Sequence, residues 1–278
     1  MATHETQFLF AACQRGAESA LKHEIAMREP DYRFAYSRPG FVTFKLPPAA
    51  ALPEVFLRRW TFARTHGISI GKVGGDHLHR LAERAWSVVG EWGIDPCHDV
   101  HVWQRDTDTP GRHHFEPGPT ALTAQIEQAV RGTAPAGARL SQAVAPEVRR
   151  PTGRNRCVFD VVVVEPNEWW LGWHQVALPQ HRWPGGVMPV ARETPPISRA
   201  FLKMEEALAW AALPIREGDE WVELGCAPGG ASEALLARGQ FVTGIDPAEV
   251  DAGLMDHPRF RHLRKRVAEV RRREFLDV

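Results

Sequence analysis

Long apolar runs are missing from these 278 residues. No uninterrupted stretch approaches the roughly 18 residues that a membrane span needs, although 44% of the chain is hydrophobic. The opening MATHETQFLFAAC has neither a basic n-region nor a long apolar core, so no secretory leader is expected. Cysteine is scarce: Cys13, Cys97, Cys157 and Cys226 are widely spaced and form no C-x-x-C pair. That argues against a zinc knuckle and a disulfide framework, and makes a reducing cytoplasm the expected compartment. Charge of one sign is lacking as well, since 34 basic residues balance 34 acidic ones. An ordinary hydrophobic content without net charge excludes the highly charged disordered class. It leaves nucleic-acid binding open, because clustering of charge counts there and not its sum. Lysine is rare, with five residues against 29 arginines, so each lysine is worth individual inspection.

What is present reads as an α/β chain of roughly two domains' length. Residues 7–12 predict a strand and 16–28 a helix, with Ala17, Leu21 and Ile25 on one face. Strands are expected over 34–36 and 41–46 around the turn Arg38-Pro39-Gly40, a helix over 52–60 and a strand over 65–73. Strand–helix–strand–strand–helix–strand is the order of a ferredoxin-like split unit. A helix (78–90), a strand (100–105), a loop (107–120), a helix (121–131) and a β-branched strand (158–164) with its hairpin partner (168–176) follow. The proline- and glycine-rich residues 181–196 read as a linker. Ser198 is a plausible N-cap for a helix over 199–212. Strand 221–224, helix 229–238, strand 241–245 and a third strand at 260–263 then open a parallel sheet.

The informative stretch is WVELGCAPGGASEALLARGQFVTGID, residues 221–246. An apolar strand ends at Glu223-Leu224-Gly225, the chain turns through Cys226, Ala227, Pro228, Gly229 and Gly230, and a helix begins. Glycines there permit positive φ or a close backbone approach that a side chain would block. Asp246 ends the second strand 23 positions after Glu223, where an acid can accept hydrogen bonds from ribose hydroxyls. Neither G-x-G-x-x-G nor G-K-[ST] is present, so a pyrophosphate or triphosphate is poorly served. S-adenosylmethionine, a nucleoside without phosphate, suits the pattern.

ELGCAPGG closely resembles the D-L-G-x-x-P-G-G signature of FtsJ-type ribose 2′-O-methyltransferases, and SRAFLKMEEA (residues 198–207) resembles the helix bearing that family's first catalytic lysine. FLFAACQRGAESALKHEIA and WWLGWHQVALPQHRWPGGVMP resemble the opening and the pre-catalytic hairpin of its bacterial members that methylate a cytidine ribose in large-subunit ribosomal RNA. The resemblance implies a ferredoxin-like unit (1–75), a THUMP-like RNA-binding domain (76–180), a linker (181–196) and the N-terminal part of a Rossmann-like methyltransferase domain (197–278). It implies Lys203 as catalytic lysine, and Glu223, Gly225, Cys226, Ala227, Pro228, Gly229, Gly230 and Asp246 as the S-adenosylmethionine site. A ribose hydroxyl must lose its proton as it attacks the methyl, and a positioned amine can assist. Three departures stand out. Ala231 replaces an aromatic, the acid expected after the third strand falls near Arg266, and the family's Asp, second Lys and Glu fall past Val278. The catalytic sheet is therefore expected to be truncated. The rival expectation is a non-catalytic RNA-binding protein with an incomplete methyltransferase fold.

Two basic clusters could neutralise RNA phosphates. One is Arg149, Arg150, Arg154 and Arg156, taken as the RNA contact. The other spans 259–273. Of the tryptophans, alternation puts Trp169 and Trp173 on one strand face and Trp170 on the other, so at least one face is core. The pairs His77/His79, His98/His101 and His113/His114 lack cysteine or acid partners at ligand spacing, and no metal is expected. No G-x-S-x-G elbow occurs.

Overall fold

The computed structural model describes residues 7–48, 50–141, 151–189, 194–271 and 273–276. The chain divides into two compact units, Met1–Pro189 and Val190–Val278. The first comprises β1 (Phe8–Ala12), α1 (Glu18–Arg28), β2 (Arg33–Arg38), β3 (Phe41–Lys45), α2 (Leu52–Leu57), β4 (Thr65–Gly74), α3 (Leu78–Glu91), β5 (Asp99–Gln104), α4 (Ala121–Gly132), β6 (Cys157–Glu165) and β7 (Glu168–Gln175). Its strands form one sheet in the order β2-β3-β1-β4-β7-β6-β5. The first four follow the ferredoxin-like order, and only β5 and β6 run parallel. β4 is long enough to pair with β1 through Thr65–Ser69 and with β7 through Ile68–Gly74. The strands expected of the two N-terminal domains, from Phe8 to Gln175, thus share a single sheet.

One face of that sheet carries the helices. Leu21 and Ile25 of α1, Leu81 and Ala85 of α3, and Ile126 and Val130 of α4 are buried there. Trp169 and Trp173 join this core, while Trp170 lies on the opposite face, as the alternation demands. α4 begins with a reciprocal cap: the Thr120 hydroxyl accepts the Thr123 N–H at 3.2 Å, and the Thr123 hydroxyl accepts the Thr120 N–H at 2.8 Å. On the other face Phe10, Phe41, Trp103 and Val162 form a second, smaller core. Gly172 makes room for it, since a Cβ there would lie 2.3 Å from the Phe10 ring.

The stretch read as linker begins inside this unit. Residues 179–186 form two short 3-10 turns packed on the sheet, because glycines let the backbone approach. A Cβ at Gly185 would lie 3.2 Å from the Trp103 ring, and one at Gly186 2.4 Å from the Arg64 carbonyl. His181 is fully buried, its ring centroid 4.6 Å from His66 and 5.2 Å from His174. His174 Nδ1 meets Asp160 at 2.5 Å and its Nε2 meets the His181 carbonyl at 2.9 Å. Both partners are acceptors, so both ring nitrogens carry hydrogen and His174 is the imidazolium partner of Asp160. Nearby, the buried Asp99 takes hydrogen bonds from Thr152 at 2.6 Å and Arg131 at 2.5 Å.

The second unit comprises α5 (Ala200–Ala211), β8 (Glu220–Leu224), α6 (Gly230–Leu236), β9 (Phe241–Ile245), α7 (Ala252–Met255), β10 (Phe260–Leu263) and α8 (Arg273–Leu276). Its three strands are parallel, in the order β10-β9-β8. α5 starts one residue later than expected, so Arg199 takes the N-cap position in place of Ser198, with no side-chain cap; the Ser198 hydroxyl, one residue further out, accepts the Ala200 N–H at 3.3 Å. Leu208, Leu235, Val242 and Leu254 form the core.

Candidate functional site

The site is built where β8 ends. Gly225 donates its N–H to the Ile245 carbonyl at 2.8 Å, which ties the turn to β9. It has a φ of +77°, and a Cβ placed on it would meet nothing within 4 Å. The loop therefore faces open space at this residue. Gly229 has a φ of +118° and is closed in by Leu254, 2.0 Å from a would-be Cβ. Gly230 starts α6 against the first turn of α5, where a Cβ would lie 2.2 Å from the Ser198 hydroxyl. Cys226 is buried, with Ala227 half-buried and Pro228 exposed.

Asp246 staples this loop. One carboxylate oxygen accepts the Ala227 N–H at 3.1 Å and the other the Ala248 N–H at 2.8 Å. These backbone bonds hold its carboxyl below the usual range. A carboxylate offers about four lone-pair sites, so two bonds leave capacity for a ligand hydroxyl. Glu223 is half-buried and accepts the Ser232 hydroxyl at 2.5 Å. Burial pushes its carboxyl up against the effect of Ser232, and the nearby Asp246 charge adds to the rise. Burial, with Glu223 and Asp246 beside it, likewise pushes the Cys226 thiol up to about 11, which leaves it un-ionised and unreactive. Ser232 was not among the expected residues. Its signal is a small hydroxyl two positions inside the helix, where it meets the acid ending β8.

Lys203 lies on α5 and is exposed. The segment leading into that helix is tied to α6 by the Ile197 N–H, which donates to Glu233 at 2.9 Å, and a Cβ on Gly230 would lie 3.0 Å from the Phe201 nitrogen. The first turn of α5, just before Lys203, thus packs on the glycine loop. The structure brings Glu223, Gly225, Cys226, Ala227, Gly229, Gly230 and Asp246 together around one turn.

Arg149 and Arg150 lie outside the described residues. Arg154 and Arg156 are exposed ahead of β6. Three of the eight basic residues of the C-terminal cluster pair with acids at the surface: Arg264 with Glu249 at 3.1 Å, Lys265 with Glu274 at 2.5 Å and Arg259 with Glu217 at 3.6 Å. Among the described residues no three His, Cys, Asp or Glu side chains gather as metal ligands, and no helix is long and apolar enough to cross a membrane.

A parallel β–loop–α–β with a glycine turn and an acid closing the second strand is the arrangement with which nucleotide-binding parallel sheets open. Residues 196–276 match the family model of the FtsJ-like methyltransferases. A ribosomal RNA large subunit methyltransferase M from Halorhodospira halophila is 37% identical over 105 residues, covering 36% of this chain and 30% of that protein. The protein of the same name from Alkalilimnicola ehrlichii is 35% identical over 89 residues, 30% of this chain and 25% of its own length. The matched segments thus span under a third of these relatives. Among solved structures, TrmN from Thermus thermophilus aligns over 93% of this chain and 73% of its own, at 17% identity and a TM-score of 0.37.

Proposed function

We propose that this chain serves the transfer of a methyl group from S-adenosylmethionine to a ribose 2′-hydroxyl of ribosomal RNA, in the cytoplasm. The observation that carries this reading is the loop at Gly225, open in front and stapled behind by Asp246. A phosphate-free nucleoside fits such a cradle, because the loop offers backbone and one acid and no phosphate-binding lysine. When bound, S-adenosylmethionine supplies an electrophilic methyl on a sulfonium. Gly225, Cys226, Ala227, Pro228, Gly229 and Gly230 would hold its amino-acid end, with Glu223 beneath them. The spare acceptor sites of Asp246 would take its ribose hydroxyls. Lys203 would assist deprotonation of the RNA hydroxyl, and alignment of the reacting atoms would supply much of the remaining rate. Residues 1–75 and 76–180, the ferredoxin-like and THUMP-like parts of one sheet, would hold the RNA, with Arg149, Arg150, Arg154 and Arg156 on its phosphates.

Two measurements test the reading. Calorimetry should show S-adenosylmethionine binding to the chain and to Lys203→Ala alike. Methyl transfer to ribosomal RNA should fall about 100-fold or more in Lys203→Ala. Undiminished transfer would remove Lys203 from the reaction, and absence of cofactor binding by the unaltered chain would sink the proposal as a whole.

A further inference from the structure

The face of the seven-stranded sheet opposite its helices carries a set of aromatic and basic side chains that the cofactor site does not use. Tyr36 lies on the edge strand β2, and Trp170 lies on β7, four strands along. On a flat sheet they would stand roughly 19 Å apart. Their rings stack instead, with centroids 5.7 Å apart and planes 16° from parallel, so this face is strongly concave. Trp170 is fixed from below by its indole N–H, which donates to the Ser69 hydroxyl at 2.5 Å, and Phe41 packs against it at 5.3 Å. Tyr36 and Phe8 remain 37% exposed on the same face.

Cations border these rings. The Lys72 ammonium lies 6.0 Å from the Trp170 ring centre, and the Arg38 guanidinium 6.0 Å from that of Tyr36. Lys45 is the cross-strand partner of Phe8. Two of the five lysines in the chain therefore flank this one patch. The acids near it are Glu165 and Glu168, each 3.9 Å from Arg38. They offset the arginine, but among the described residues no carboxylate pairs with Lys45 or Lys72.

We infer that this concave face, formed by Phe8, Tyr36 and Trp170 with Lys45 and Lys72, is a stacking platform for unpaired bases of single-stranded RNA. Tyr36 and Phe8 are the exposed rings, Trp170 backs Tyr36 from behind, and rings held rigid in this way suit a base face of any sequence. Ammonium groups at the margin suit the phosphates that accompany it. A duplex hides its base faces and cannot use the rings. The inference rests on the reading of the chain as RNA-binding, and adds which surface is used and which form of RNA it takes.

The test is anisotropy of a fluorescein-labelled 12-nucleotide RNA with the full chain, single-stranded and annealed, over a salt series. A parallel series uses 2-aminopurine in the strand, whose emission falls on stacking. Single strands should bind more tightly than duplex and quench the 2-aminopurine. Tyr36→Ala should weaken single-strand binding about tenfold and abolish the quench, while Tyr36→Phe, which keeps the ring, retains both. Lys45→Gln with Lys72→Gln should lower the salt dependence without removing the quench. S-adenosylmethionine binding should be unchanged in all of these variants, and far-ultraviolet circular dichroism and urea midpoints matching those of the unaltered chain show that the first unit folds. RNA binding that is indifferent to Tyr36→Ala, or equal for duplex and single strand, overturns the platform and leaves the RNA reading standing. Absence of any RNA binding by the unaltered chain overturns both.

Discussion

Gly229 enters α6 in a backbone region that L-residues rarely adopt, and it has no room for a side chain. Gly229→Ala combines that strain with a collision against Leu254. Unfolding of the second unit should become easier by about 1–3 kcal/mol, and S-adenosylmethionine affinity should fall with it; denaturation followed by calorimetry reads both. Single residues also set the acid response. Burial pulls the His66 imidazole down to about 4 and, with His66 and His174 beside it, that of His181 well below its usual value. Neither ring nitrogen of His181 has a hydrogen-bond partner among the described residues. These rings are neutral when folded and take up protons when unfolded, so the stability they contribute is full above about pH 6.5 and drains away as pH falls toward 4. For His66 the loss is on the order of 3 kcal/mol by pH 4. Burial works against the charge on His174, but Asp160 outweighs it and raises the ring, a contribution present in acid and lost in base. Burial also opposes the charge on Asp99, yet His101, Thr152 and Arg131 hold its carboxyl down to about 2, so its contribution is lost only in stronger acid. Urea unfolding between pH 7 and 4 should show the decline, and His66→Phe should flatten it. An unchanged slope in that variant would remove His66 as its source.

Elements were legible wherever a period ran long enough. The helix expected over 78–90 is α3 at Leu78–Glu91, and the strand expected over 158–164 is β6 at Cys157–Glu165. α7 and α8 escaped notice because a four-residue helix is too short to show a period. The capping box of α4 escaped too, because its fourth residue is Thr123 in place of the usual Glu or Gln. Thr120→Ala should therefore destabilise the first unit by about 1 kcal/mol, seen as a shifted denaturation midpoint at constant slope. Residues 181–189 misled for a different reason. Proline and glycine signal a break in regular structure, but they do not tell whether the irregular segment packs, and here Gly185 and Gly186 are what allow it to pack.

For the whole molecule, the proposed cofactor gives a direct expectation. A ligand that binds only the folded state stabilises it by mass action, about 2.7 kcal/mol at a hundred times its Kd. S-adenosylmethionine should therefore raise the melting temperature of the second unit, and a melt unmoved by saturating cofactor would contradict its assignment. The sequence by itself determined the order of the elements and the glycine turn with its two acids, because hydrophobic period, turn chemistry and loop backbone are local properties carried by neighbouring residues. Only the tertiary structure decided that the strands from Phe8 to Gln175 share one curled sheet, that His181 of the packed strap meets His66 and His174, and that Tyr36 stacks on Trp170. Those contacts join residues up to 134 positions apart. They depend on strand order and sheet curvature, which no local pattern records.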